Sequence, residues 1–187
     1  MFGEEYTLVA CADYVLGKLG GGNTVSNLSS SRALRDITHK HGGTYTASAV
    51  GEVNVVIKMK ETNTVIGGEG NGGIIYPASH YGRDSLVGVA LFLSLMAHKK
   101  MSCKALRDSY PSYFMSKNKI QLTPEIDVDR ILETIANKYA GEEVNTIDGI
   151  KIDFAKQWVH LRKSNTEPII RIYTESNSQQ SADELAE

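Results

Sequence analysis

Only two cysteines, Cys11 and Cys103, occur in 187 residues, far apart and without metal-ligand spacing. Neither a disulfide framework nor a cysteine-rich zinc module organises such a chain, and a reduced, cytoplasmic protein is expected. Charge of one sign is also missing. Twenty basic residues against 22 acidic ones give a formal net charge of −2, so the basic excess of a nucleic-acid surface is absent and no nucleic-acid partner is expected. No apolar run reaches the roughly 20 residues of a membrane-spanning helix. Met1 to Ala12 carries Glu4 and Glu5 where a signal peptide would be positive, and no membrane partner is expected. The Gly-Lys-Ser/Thr of a nucleotide P-loop is lacking as well. A literal G-x-G-x-x-G does occur at Gly68, Gly70 and Gly73, but Ile74-Ile75-Tyr76-Pro77 follows it. A β-branched run closed by proline cannot open the helix that a dinucleotide fingerprint needs.

What is present suits packed cores. Hydrophobic residues make up 41% of the chain, and the length allows one or two domains. Helical spacing in Thr7 to Lys18 is followed by a strand at Asn23 to Asn27 and a helix from about Arg32 to His41. A strand near Thr44 to Ala47, a helix around Val53 to Met59, a strand at Val65, a glycine loop and a helix from Asp84 to His98 come next. That alternation predicts an α/β domain, a mixed sheet flanked by helices, over residues 1–112. The Asp84 helix is apolar nearly all round, which predicts that it is buried in the domain. Pro111 to Lys119 reads as a connection. Beyond it the order is α+β, an antiparallel sheet with helices on one side, over residues 113–187: a strand near Lys119 to Leu122, a helix after Asp127, a hairpin turning at Asp148-Gly149, two strands around a polar loop, and a short helix at Ala182 to Leu185.

The polar loop concentrates the chemistry. Between β-rich Trp158 to Leu161 and Ile169 to Tyr173 stand Ser164, Asn165 and Thr166, flanked by Arg162 and Arg171. Short hydroxyl and amide side chains leave backbone N–H groups accessible, and guanidinium forks suit phosphate oxygens. By composition alone, a polar turn with two solvated arginines is an equal reading. Upstream, Gly67 to Gly73 surrounds one carboxylate, Glu69, and one amide, Asn71, with five glycines. Glycine in regular structure costs about 0.5–1 kcal/mol relative to Ala, tolerable where backbone bends sharply or approaches a ligand.

These two stretches resemble loops of the α-D-phosphohexomutases, enzymes that move phosphate between C1 and C6 of a hexose or hexosamine. The family writes its phosphate loop as Arg-x-Ser-Asn/Gly-Thr-x-Pro-x-x-Arg, and Arg162, Ser164, Asn165, Thr166, Pro168 and Arg171 fill it without a gap. Its sugar loop, Gly-Glu-x-Ser/Asn-Gly-His/Gly, is matched by Gly68 to Gly73, with Asn71 and Gly73 where the commonest bacterial version has Ser and His. The resemblance extends from Phe2 to about Ser176. It implies the third and fourth domains of a mutase, the last shaped like one repeat of the TATA-binding protein without any DNA binding. It further implies that Glu69, Asn71 and Gly72 bind sugar, and that Arg162, Ser164, Asn165, Thr166 and Arg171 bind phosphate.

Two stretches imitate the family's remaining motifs. Ala78-Ser79-His80 is similar to part of the phosphoserine loop, but Tyr81-Gly82 replaces its Asn-Pro and it follows the sugar loop directly. Glu125-Ile126-Asp127-Val128-Asp129-Arg130 is similar to the metal loop, but starts with Glu and runs into an amphipathic helix whose cap Asp127 supplies. Both read as structural, which leaves this chain without catalytic or metal-binding residues. The implied whole is a phosphohexomutase interconverting hexose or hexosamine 1- and 6-phosphates through a phosphoserine. Its Mg²⁺ and its catalytic groups would lie in upstream domains, and Met1 would be an internal position or an added start. A free-standing sugar-phosphate binding module is the alternative. Ser29 to Ser31 suit a helix N-cap better than a ligand site at a strand end. Glu52 suits a helix start or a sugar contact equally, and His160 reads as packing.

Overall fold

In the computed structural model, which describes residues 1–123, 126–164 and 166–187, the chain forms two compact units, Met1–Ser112 and Tyr113–Glu187. The first is built on a four-stranded sheet of order β2-β1-β3-β4. Strands β1 (Asn23–Asn27), β2 (Tyr45–Ser48) and β3 (Thr64–Glu69) run parallel, and β4 (Gly73–Ile75) returns antiparallel to β3. Successive residues of a strand face opposite ways, and β3 shows what covers each face. A Cβ on Gly67 would meet Met59 of α3 (Glu52–Glu61), whereas one on Gly68 would meet Leu8 of α1 (Glu4–Leu19). α1 and α3 therefore sandwich the sheet. Tyr6 to Leu16 of α1 are almost wholly buried, with α2 (Ala33–Lys40) and α4 (Ser85–Lys99) packed against that helix. A short helix, α5 (Cys103–Asp108), which the sequence pattern misses, lays the Arg107 guanidinium 3.4 Å from the Tyr6 ring centroid.

α4 departs from expectation. Asp84 caps it, accepting from the Leu86 and Val87 N–H groups at 2.9 and 3.0 Å, but only Gly88 and Leu95 of its length are buried. Leu86, Val89 and Leu93 are 80%, 55% and 57% exposed. An all-round apolar helix needs cover on every side, and within the described residues this one has it on one side only.

The second unit is a five-stranded antiparallel sheet of order β5-β9-β8-β7-β6. β5 spans Phe114–Gln121, so residues expected to connect the two parts are instead paired along their length with β9 (Ile169–Ser176). β6 (Glu143–Asn145) and β7 (Ile150–Asp153) form the expected hairpin, with Gly149 at φ 69 in the left-handed turn position. β8 (Trp158–Lys163) pairs with both β7 and β9. Ile150, Ile152, Val159, Ile170 and Ile172 share one face, and α6 (Val128–Lys138) and α7 (Gln179–Ala186) both pack on it through Val128, Leu132, Ile135 and Leu185. The helices thus lie on one side of the sheet.

No helix among the described residues is long and apolar enough to cross a membrane.

Candidate functional site

Glu69 ends β3 and is 6% exposed. A carboxylate that far from water needs fixed donors, and two reach the same oxygen: Asn27 Nδ2 donates to Oε1 at 2.9 Å and the Gly51 N–H at 3.3 Å. The second oxygen, Oε2, lies 3.8 Å from Arg83 Nη1. Arg83 is itself held by Glu52, donating from its backbone N–H at 3.0 Å and from Nε at 2.8 Å. These hydrogen bonds hold the Glu52 carboxyl below its usual range. Glu52 opens α3 after Gly51 and pairs with Arg83 from there. One side of Glu69 is therefore locked to the sheet, while the other meets a half-exposed cation.

The turn beyond Glu69 is braced from beneath. Ser30 Oγ accepts from the Gly70 N–H at 3.0 Å and donates to Asn27 Oδ1 at 3.1 Å. Ser31 Oγ accepts from the Ala33 N–H at 3.2 Å at the start of α2, and its own N–H donates to Glu5 Oε2 at 2.8 Å. A Cβ at position 70 would displace the Glu5 carboxylate from its place against the Ser31 N–H. At position 72 glycine is required because φ is 84. Asn71 is exposed at the tip, with Oδ1 accepting from the Gly73 N–H at 3.0 Å. Its carbonyl closes an Asx-type turn.

In the second unit, β8 and β9 carry the polar loop. Arg162 and Arg171 are directly paired across the ladder, so both guanidiniums start from one face of the sheet. Lys119 of β5 is the partner of Arg171 on its other side, a third cation that the sequence reading missed, although the alternation of Lys117 and Lys119 is its trace. The Ser164 N–H donates to the Ile169 carbonyl at 2.9 Å, closing the loop base. Above it the contacts are long: Ser164 Oγ to Thr166 Oγ1 is 3.5 Å, and the Thr166 N–H reaches Ser164 Oγ at 3.4 Å. Arg171 Nη2 donates to Glu167 Oε2 at 2.7 Å. Arg162 Nε is buried and makes no hydrogen bond to a described residue. Asn165, expected in this loop, lies outside the described residues.

The imitating stretches have structural uses. The Ser79 N–H donates to the Tyr76 carbonyl at 2.9 Å in an exposed turn, and His80 pairs with the cap residue Asp84 at 3.0 Å. Asp127 caps α6, accepting from the Arg130 N–H at 3.1 Å, and Asp129 pairs with Lys163 at 2.7 Å. Glu125 lies outside the described residues. His160 is 1% exposed and donates from Nε2 to the Asp148 carbonyl at 2.7 Å. Burial pushes its pKa down to about 4, so it is a neutral packed side chain at pH 7.

Comparison with known families decides what these loops belong to. The family model described as "Phosphoglucomutase/phosphomannomutase, alpha/beta/alpha domain III" matches residues 3–113, and the one described as "Phosphoglucomutase/phosphomannomutase, C-terminal domain" matches residues 119–187. The chain belongs to the phosphoglucomutase/phosphomannomutase family. A phosphoglucomutase/phosphomannomutase of Thermococcus kodakarensis is 36% identical over 185 residues, which are 98% of this chain and 40% of that protein. A phosphoglucosamine/phosphogalactosamine mutase of Sulfurisphaera tokodaii is 36% identical over 163 residues, 86% of this chain and 36% of that protein. Among solved structures, a phosphoglucomutase/phosphomannomutase family protein of Burkholderia thailandensis superposes with a TM-score of 0.77 at 24% identity, over 97% of this chain and 40% of its own. N-acetylphosphoglucosamine mutase of Aspergillus fumigatus, solved with GlcNAc-6P and magnesium, superposes at 0.66 and 14% identity, over 98% of this chain and 45% of its own. Both structural likenesses concern the fold alone. The chain spans about two fifths of the length of these relatives.

Proposed function

We propose that this chain is the sugar- and phosphate-binding part of a phosphohexomutase that interconverts hexose or hexosamine 1- and 6-phosphates through a phosphoserine carried upstream. The observation that supports it most is the direct pairing of Arg162 with Arg171 across the strands that frame the 164–168 loop. Like charges opposite one another weaken a sheet, so the arrangement makes sense when an anion sits between them. A phosphate ester offers that anion, with oxygens for both guanidinium forks and for the hydroxyls of Ser164 and Thr166. In the same reading Asn165 contributes to the clamp.

Glu69 would accept hydrogen bonds from sugar hydroxyls through Oε2, the oxygen not already claimed by Asn27 and Gly51. Asn71 would donate from Nδ2, since its Oδ1 closes the turn, and Gly72 would let the sugar approach the backbone. These groups bind and orient. None is placed to take or give a phosphoryl group, and the work of this part is positioning. Asp127 and Asp129, engaged as a cap and with Lys163, do not fit a metal site. Magnesium would be held by upstream residues, and localisation in the cytoplasm follows from the metabolic reading.

The experiment is calorimetric titration of the complete protein with glucose 1,6-bisphosphate and with inorganic phosphate. Glu69→Gln should weaken the sugar bisphosphate at least tenfold and leave inorganic phosphate unchanged. Equal loss of both ligands would break the division between sugar reader and phosphate clamp.

A further inference from the structure

Three cations stand in one row across the second sheet. Lys119 of β5 is paired with Arg171 of β9, and Arg171 with Arg162 of β8, so all three side chains leave the face opposite Ile170 and Ile172. With strands about 4.8 Å apart, the row spans roughly 10 Å. Its neighbours are committed: Arg171 donates to Glu167 at 2.7 Å, Lys163 pairs with Asp129 at 2.7 Å, and Lys117 lies over the Tyr173 ring, 5.7 Å from its centroid. Lys119 is exposed and meets no carboxylate among the described residues. An edge strand ordinarily carries lysine to block pairing with another chain, and Lys117 already serves that purpose on the same strand. At position 119 the charge sits opposite a like charge, which weakens a ladder. A ligand that needs the charge accounts for it there.

We propose that Lys119 is a specificity-determining residue of the clamp: it supplies the charge that separates a dianionic phosphate monoester from monoanionic groups of similar shape, such as sulfate esters and phosphodiesters. The inference rests on the phosphate clamp proposed for the 164–168 loop and adds to it the charge state of the ligand. Arg162 and Arg171 present forks that match the oxygens of phosphate, and a sulfate ester offers three oxygens in the same tetrahedral arrangement. Shape alone leaves the two esters nearly equal. Two guanidiniums less the Glu167 carboxylate leave a single net positive charge, which a monoanion balances. Lys119, one strand beyond Arg171 on the same face, brings that charge to two, the charge of an ionised phosphate monoester. An ammonium acts as a point charge, and its attraction to a dianion is twice that to a monoanion at equal distance.

Calorimetric titration of the complete protein with glucose 6-phosphate and glucose 6-sulfate tests the assignment, at about pH 8, well above the second phosphate ionisation near 6. The parent should prefer the phosphate. Lys119→Gln should weaken glucose 6-phosphate about tenfold, through loss of one charge-assisted contact, and glucose 6-sulfate only about threefold, so that the preference shrinks. Lys119→Arg, which keeps the charge, should retain the preference. The Lys119→Gln protein should also unfold at a higher urea midpoint, because repulsion from Arg171 is gone; weaker binding in a firmer fold cannot come from misfolding. Unchanged phosphate affinity, or equal weakening of both esters, would overturn the role of Lys119. Arg171→Ala keeps that failure distinct from failure of the clamp. If Arg171→Ala also leaves glucose 6-phosphate binding unchanged, the clamp itself falls; a loss in Arg171→Ala with none in Lys119→Gln overturns the assignment of Lys119 alone.

Discussion

Replacing Arg171 by Ala separates the energetics of the clamp from those of the fold. Among the described residues the guanidinium pairs with Glu167 at 2.7 Å, between side chains 30% and 50% exposed. At that exposure such a pair is worth about 0–1 kcal/mol. Removing Arg171 also relieves repulsion from Arg162 directly opposite, an effect of about 0.2–1 kcal/mol of opposite sign. The two nearly cancel, so urea unfolding of Arg171→Ala should agree with the parent within about 1 kcal/mol. Affinity for a hexose phosphate should behave differently, because a charge-assisted hydrogen bond is lost. That costs about 1.5–3 kcal/mol, roughly ten- to a hundredfold in Kd. Glu167→Gln supplies the opposite sign: Glu167 competes with phosphate for Arg171, so its neutralisation should tighten binding several-fold. Calorimetry on the complete protein measures both. Unchanged affinity in Arg171→Ala, or weaker binding in Glu167→Gln, would refute the reasoning.

Other expectations follow from buried groups. His160 is held near pKa 4 against an ordinary 6.5, and a depressed histidine stabilises the neutral folded form; that stability is complete above pH 6.5 and is lost as pH falls toward 4. The loss should approach about 3 kcal/mol in the second unit, read by the single, buried Trp158, and His160→Gln should flatten it. Burial raises the Asp13 pKa, but hydrogen bonds from His41, Lys99 and Tyr110 outweigh it and the net shift is downward, so its contribution to the first unit should fade only below about pH 3.8. Asp13→Asn leaves Lys99 and His41 without their carboxylate and should cost about 2–3 kcal/mol, toward the low end for a broken buried pair because Lys99 is one-third exposed. Ser79→Ala and the double change Asp127→Asn/Asp129→Asn should leave turnover by the complete protein close to the parent rate, since the Ser79 turn is held through its backbone N–H, Asp127 caps α6 and Asp129 pairs with Lys163; a silent Ser79→Ala enzyme would contradict that.

What could be read from sequence was local. The 162–171 loop is a contiguous pattern between two strands, and the α6 stripe with its Asp127 cap is settled within one turn, so both were legible. The bracing of the glycine turn was not. Ser30 reaches Gly70 across 40 residues and Asn27 reaches Glu69 across 42, and no spacing rule predicts such pairs. Arg83 with Glu52, 31 residues apart, is the same case. β5 is longer than its sequence predicts because Ser116 to Lys119 is polar and gives no clean alternation of apolar residues; its pairing with β9 is what makes it a strand. α4 shows a different limit. Its composition predicts burial, which the structure does not bear out: composition does not specify a partner, and among the described residues cover is present on one side only.

The two loops differ in how much of their geometry is fixed before any ligand arrives, and that difference bears on their proposed tasks. Around Glu69 the carboxylate, the turn and the underlying serines are tied by hydrogen bonds of 2.9–3.3 Å to buried strand ends. Such a preorganised acceptor loses little entropy on binding and discriminates by shape. The 164–168 loop is anchored at its base by the Ser164 N–H, but above it Ser164 and Thr166 meet only at 3.4–3.5 Å, too long to hold either hydroxyl firmly. Arg171 is lent to Glu167, and Arg162 Nε has no acceptor among the described residues. A phosphate would therefore find donors that are present and incompletely committed. On the proposed function, a clamp that must take the phosphate of a sugar first from one end and then from the other needs this kind of latitude, while a sugar reader needs fixed geometry, and the two loops would divide the properties in that way.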